Sequence, residues 1–302
     1  MKNVKNVNYW QIDHQIKQIV AIKGVIVLPI LEAWEKFEWV KLYFKQKPQE
    51  GYFVWVKKQI NFPLSTCITI ASPNTIQELM NFLVIEKRIN VKAIVNCNTQ
   101  KNDLCGKHIA RGKLILKDGA SLEYNHFHRW GQNDLVNPDY EFFLEKNSNL
   151  IYNYQNLFPP KDLNLTTSIY SKENSSCQAN FIINGLNSKI NLNETIFLDE
   201  NNSRGILKLR LVGRENAEIS AQSKIIANAE GVGHLDCQGL LVDRRSNISL
   251  TPKLICKCNE AQLTHEASIG RISEDQLNYL RTRGLTEEEA LNLITTGFLS
   301  CN

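Results

Sequence analysis

The sequence predicts a mainly β fold closed by two C-terminal helices. Three observations carry this. Turn-forming residues recur at near-even spacing through the second half of the chain. Short runs of alternating polarity lie between them. The last thirty residues switch to helical spacing behind two capping boxes. The turn positions are Asn174, Asn187, Asn201, Asn216, Asn228, Asp243 and Asn259, 12 to 16 residues apart. Asn makes up 33 of 302 residues, and it suits such turns because it tolerates left-handed backbone and forms Asx turns. In 206–211 (ILKLRL), Leu207, Leu209 and Leu211 share one face and Lys208 and Arg210 the other; 189–193 alternates too. Evenly spaced short strands fit a sandwich, a barrel or a solenoid, and no repeated motif selects among them.

The N-terminal third is more mixed. Residues 8–21 read as an amphipathic helix, with Trp10, Ile12, Ile16, Ile19 and Val20 roughly on one side. Residues 51–56 (GYFVWV) read as a strand. Residues 74–87 leave two readings open: Asn74 with Gln77 resembles a helix start, whereas 82–85 and 91–95 suit strands. At the other end, Ser273 and Gln276 form a capping box ahead of Leu277 and Leu280, with Gly284 as the stop. Thr286 and Glu289 form a second box, Ala290, Leu293 and Ile294 its apolar stripe, and Gly297 its end. The result is an αα-hairpin, either a cap over the last open strands or a helical docking surface.

Composition narrows the function. Lys plus Arg is 35 and Asp plus Glu 31, a net charge of +4 too mild to argue for nucleic-acid binding. No apolar run is long enough for a membrane-spanning helix, and the N-terminus has no apolar signal core, so a cytoplasmic protein with reduced thiols is expected. The eight cysteines include no C-x-x-C pair, which removes the common zinc-finger and thioredoxin patterns. No P-loop, dinucleotide-binding or nucleophile-elbow motif occurs, so any ATP use belongs to another chain.

Candidate chemistry concentrates in 233–240 (GHLDCQGL) and 263–267 (LTHEA). Cys237, His265 and Glu266 are plausible ligands for iron or zinc, Cys237 supplying the soft thiolate. A buried structural Cys237 and a solvated His265–Glu266 pair are the bland alternatives. Adjacent strand residues face opposite ways, so His265 and Glu266 can share a metal only through an irregular strand or across an interface. Cys256 and Cys258 read as inward-facing β residues. His126 and His128 form an H-x-H whose spacing can bind metal, even as a mononuclear zinc or iron centre, but which reads more simply as a structural or surface feature.

The segment from 234 to 298 resembles the SufB/SufD family of iron–sulfur cluster assembly proteins. The matching stretches are GHLDCQGLLVD and LTHEASIGRISEDQLNYLRTRGLTEEEALNLITTGF, with looser similarity upstream that includes 125–131 (NHFHRWG) and brings coverage to roughly 50–302. The resemblance implies a right-handed parallel β-helix at 50–269, a small mixed helical and α/β part at 1–49, and a C-terminal αα-hairpin at 270–302 that docks a SufC-type ABC ATPase. It implies that Cys237 and Glu266, in an H-E-A context, fall on the SufB positions for cluster assembly; SufD proteins typically have H-G-A. Long SufB proteins often carry an acidic residue where Thr264 stands here. The expectation is a short SufB-like scaffold rather than a classical enzyme. It would act as a homodimer, take sulfur from a cysteine desulfurase and carry a transient iron–sulfur cluster (2Fe–2S or 4Fe–4S) at Cys237, His265 and Glu266. The alternative is a SufD-like structural or iron-entry subunit without its own cluster.

Overall fold

A computed structural model describes residues 7–300. The chain begins with a hairpin, β1 (Val7–Ile12) and β2 (Gln15–Val20), then β3 (Val25–Pro29), the short helices α1 (Ile30–Lys36) and α2 (Glu38–Lys41), and β4 (Tyr52–Val56). Fifteen strands follow without a helix: β5 (Leu64–Ile70), β6 (Ile76–Ile85), β7 (Asn90–Thr99), β8 (Lys107–Leu116), β9 (Ser121–Arg129), β10 (Leu135–Leu144), β11 (Asn149–Phe158), β12 (Asp162–Ser171), β13 (Ser176–Leu186), β14 (Lys189–Leu198), β15 (Ser203–Arg214), β16 (Glu218–Ala227), β17 (Gly231–Leu241), β18 (Asn247–Cys256) and β19 (Gln262–Arg271). Helices α3 (Glu274–Thr282) and α4 (Glu287–Ser300) close the chain.

The architecture is a β-solenoid of about 8 turns. Odd strands from β5 to β19 stack in parallel in one sheet and even strands from β4 to β18 in the other, so each coil consists of two strands and two corners. The 12–16-residue punctuation is therefore half a coil. Asn174, Asn187 and Asn216 adopt positive φ at the corners, as does Asn202 beside the expected Asn201.

Strand alternation sends every second side chain into the lumen between the sheets. Tyr124, Tyr140, Phe142, Tyr152 and Phe181 fill its first half with rings, and Leu207, Leu209 and Leu211 its second with smaller groups. Gly112 is one of these inward positions. A side chain there would collide with the ring of Tyr140, so its absence gives that ring its place. The outward face is stabilised by ladders. Asn125, Asn153 and Asn180 pass amide hydrogen bonds from coil to coil at 2.9 and 2.7 Å, and Asn137, Asn164 and Asn191 do so at 3.2 and 2.8 Å. Phe143, Tyr170 and Phe197 stack nearly parallel, with centroids 5.1 and 4.8 Å apart. Asn is thus abundant for two reasons, corners and ladders, and only the first is visible as a turn signal.

The helix expected over 8–21 is the β1–β2 hairpin. Its two-residue turn centres on Asp13 at φ 51°, whose carboxylate accepts hydrogen bonds from Ala71 N and the Ser72 hydroxyl, both at 2.7 Å. β1 pairs in parallel with β5, and Tyr9 and Gln11 point inward while Trp10, Ile16 and Ile19 are exposed. The apolar stripe thus follows no buried helical face; docking onto an open sheet edge overrides it. The same override decides 74–87: Asn74 is a left-handed corner and β6 a strand between β4 and β8.

Both C-terminal capping boxes form. Ser273 Oγ accepts from Gln276 N at 3.2 Å, Thr286 Oγ1 accepts from Glu289 N at 3.3 Å, and Gly284 adopts φ 94° between the helices. Helix α4 runs through Gly297 to Ser300, past the expected stop. Ala290 is buried and Ile294 packs beneath it, whereas Leu293 is exposed. The helices pack on the outer side of Leu240 and Val242 and along β15. They do not cap the last strands, and nearly every residue of β19 is exposed.

Candidate functional site

The last three strands form an open end. β19 and β18 are the edges of their sheets, and β17 lies one strand inside. β17 carries Cys237 on its inward face, 1% exposed, beside Ala267 of β19. Burial pushes the Cys237 thiol up to about 11. The Ser223 hydroxyl beside it works against that shift, and the Glu194 and Asp236 carboxyls add to it. The resting group is a protonated thiol, not the low-pKa nucleophile that a neighbouring histidine would create. A metal ion that takes it as a ligand displaces that proton.

His265 pairs laterally with Leu235, two residues before Cys237, so it lies on the same side of the sheet, diagonally across one strand gap. A strand spacing of about 4.8 Å and a two-residue rise of about 6.6 Å put the two backbones roughly 8 Å apart. Glu266 pairs with Asp236 and faces the other side. There it approaches His234, Nε2 to carboxylate at 3.8 Å, while His234 Nδ1 meets Thr264 Oγ1 at 2.8 Å. One chain therefore gathers Cys237 with His265 on one face and Glu266 with His234 on the other. His265 and Glu266 are both exposed at the open edge.

Several groups around this site carry no motif. Glu194 of β14 is fully buried in the lumen and accepts a hydrogen bond from Ser223 Oγ at 3.3 Å. Burial raises its carboxyl to about 8. Arg210 of β15 and Asp236 of β17 form a forked pair, Nη1 to Oδ1 at 3.0 Å, at 8% and 6% exposure. Only Glu194 has a legible signal, which is parity. Glu194 occupies an inward position between Leu192 and Ile196, where a charged residue breaks the pattern.

The other flagged residues sit elsewhere. Cys256 ends β18 exposed and Cys258 lies in the following corner, its thiol 2.9 Å from Glu260. Cys256 pairs with the buried Ala227 and keeps the inward parity of β18, but it is exposed because the last coil has no further coil to cover it; Cys258 lies beyond the strand. His126 and His128 are not surface features: both are buried in the lumen. Among the described residues, the metal-binding geometry present within one chain is Cys97, His126 and His128, some coils away from Cys237.

The chain is similar in sequence to known iron–sulfur cluster assembly proteins. An iron–sulfur cluster assembly SufBD family protein of Archaeoglobus fulgidus is 29% identical over 311 residues, covering 96% of this chain and 84% of that protein. One from Methanothermobacter thermautotrophicus is 29% identical over 304 residues, covering 93% and 74%. The iron–sulfur cluster assembly protein SufB of Bacillus subtilis is 23% identical over 256 residues, covering 82% of this chain and 55% of that protein. Residues 68–298, from β5 through most of α4, match the family described as SUF system FeS cluster assembly, SufBD core domain, and the chain belongs to that family.

Proposed function

We propose that this chain is a SufB-like scaffold subunit that assembles an iron–sulfur cluster as its cargo at Cys237, His265 and Glu266. The observation that carries this reading is the position of Cys237: a buried thiol one strand in from an open sheet edge that presents a histidine and a carboxylate. The opposed faces of His265 and Glu266 are reconciled by a homodimer. A long edge strand without a partner is a template for pairing, and a two-fold axis beside β19 brings a second Glu266 toward the first Cys237. Sulfur from a cysteine desulfurase transfers to Cys237 when its sulfur attacks the sulfane sulfur, its thiol proton passes to the departing donor thiolate, and an external reductant takes the sulfur to sulfide. Mixed thiolate, imidazole and carboxylate ligation holds a cluster less firmly than four thiolates do, which suits a site that releases its product. A SufC-type ABC ATPase docks on α3 and α4, where Tyr279 and Leu293 are 59% and 55% exposed. Its nucleotide-driven movement opens and closes the dimer edge.

The test is anaerobic co-expression with the ATPase partner, followed by iron and acid-labile sulfide determination. Iron and sulfide in near-equal amounts are expected in wild type, with at least a tenfold loss in Cys237→Ser and Glu266→Ala. Retention in both variants moves the site elsewhere. A stable ATPase complex with neither iron nor sulfide in any sample favours the SufD-like structural subunit.

A further inference from the structure

The first half of the lumen contains a second constellation of ligating atoms, which the assembly site does not use. The inward positions of β9 are Tyr124, His126 and His128, and register places Cys97 of β7 beside His128. The three side chains are 1%, 0% and 3% exposed, and their ligating atoms all lie within 4.8 Å of one another. Cys97 Sγ is 3.7 Å from His126 Nε2, and the two Nε2 atoms are 2.9 Å apart.

We propose that Cys97, His126 and His128 form a mononuclear site for a borderline divalent transition ion, zinc or ferrous iron, inside the solenoid. Bond lengths of about 2.1 Å to nitrogen and about 2.3 Å to sulfur give tetrahedral separations of about 3.4 Å between nitrogens and about 3.6 Å from nitrogen to sulfur. The Cys97–His126 distance matches and Cys97 lies within 4.8 Å of His128, whereas the two nitrogens are too close, so the ion enters with the imidazoles parting by about half an ångström. Each far ring nitrogen has an outer partner: Tyr152 Oη is 3.5 Å from His126 Nδ1 and Tyr154 Oη is 3.0 Å from His128 Nδ1. With Nδ1–H donating to a tyrosine oxygen, Nε2 is left as the lone-pair ligand, the outer-shell arrangement that metal-bound histidines use.

The chemistry of the pocket agrees. Burial holds both imidazoles neutral, His126 down to about 3, and the neutral ring is the ligating form. Burial also keeps the free Cys97 thiol protonated. Metal binding therefore forms the metal–sulfur bond, breaks the S–H bond and releases one proton per ion to solvent, with a second proton released when a water supplies hydroxide as the fourth ligand. No carboxylate belongs to the set, which disfavours magnesium and calcium. One thiolate against a divalent ion leaves one positive charge, which calls for an anionic fourth ligand such as hydroxide from water. Asn156, beside His128 on β11, is fully buried with neither side-chain amide atom hydrogen-bonded, so it is placed to donate to that ligand.

The competing arrangement is a dry hydrogen bond between the two imidazoles. The full chain carrying Cys237→Ser separates this centre from the assembly site. Refolded with zinc or ferrous iron under argon, it is expected to retain one ion per chain without acid-labile sulfide, and the relative uptake of the two metals identifies the ion. Cys97→Ala and His126→Gln are expected to lower retention at least tenfold, with far-ultraviolet circular dichroism confirming the β fold. Tyr154→Phe, which removes only an outer partner, is expected to weaken retention about 10-fold or more. Refolding with cobalt provides a readout that needs no variant: a thiolate-to-cobalt charge-transfer band together with tetrahedral d–d bands. No such band, with metal below about 0.1 equivalents in the folded chain, leaves only the imidazole hydrogen bond and overturns the proposal.

Discussion

Asp236→Ala is expected to destabilise the fold by about 3–5 kcal/mol, because it strands a buried guanidinium. Arg210 is 8% exposed, and Asp236 is its one anionic partner within ion-pair distance among the described residues. Its remaining hydrogen bonds, to Leu209 O at 3.0 Å and Asp236 O at 3.4 Å, satisfy donors but leave the charge uncompensated. For a chain of this size the loss corresponds to a fall in melting temperature of roughly 10 °C. Replacing both partners, with Arg210→Met and Asp236→Leu, is expected to return stability to within about 1 kcal/mol of wild type. Urea denaturation of the two single variants and the double variant measures the coupling; singles whose losses simply add in the double would refute it. The pair also has a pH signature. Burial opposes the ionised form of Asp236, but the hydrogen bond and charge of Arg210 override it and hold the carboxyl below its ordinary 3.8. The stabilisation is therefore present above that value and is lost as pH falls through the lowered one. Because β17 carries both Asp236 and Cys237 on opposite faces, the ion pair also anchors the strand that presents Cys237.

What was legible in the sequence follows from the range of the interactions involved. The C-terminal helices are written locally, in Ser273, Gln276, Thr286 and Glu289, and both capping boxes form as read. The half-coil spacing is legible because each corner needs a turn residue. Which strands pair is not written locally: residues in contact across a rung are 26 to 31 apart, as the separations of Arg210 from Asp236 and of Asn193 from Lys224 show. That is why β1–β2 reads as a helix. Its burial depends on β5, some fifty residues away. The candidate site divides in the same way. Cys237, His265 and Glu266 stand out through motif resemblance, while Glu194 and Cys97 become notable only once inward parity is known. The H-x-H of His126 and His128 was visible, but its burial was not, since burial comes from Tyr140 and Tyr154 on other strands.

Glu194→Gln is expected to reverse the sign of its effect with pH. Burial raises the Glu194 carboxyl from 4.5 to about 8 in the folded chain. Below pH 4.5 the folded and unfolded chains both hold the proton, and the full stability is present. As pH rises toward about 8 the unfolded chain releases the proton and the folded chain keeps it, so stability falls by about 1.4 kcal/mol per pH unit, or on the order of 3 kcal/mol by pH 7. Gln does not titrate and escapes that loss. It keeps the Ser223 hydrogen bond through its carbonyl, but its amide group occupies the place of Oε1, which has no partner, at a cost of about 1 kcal/mol. The variant should therefore be about 1 kcal/mol less stable than wild type at pH 4.5 and about 2 kcal/mol more stable at pH 7. Denaturation midpoints across that range check it, and a difference that stays constant with pH would show that Glu194 is ionised in the folded lumen.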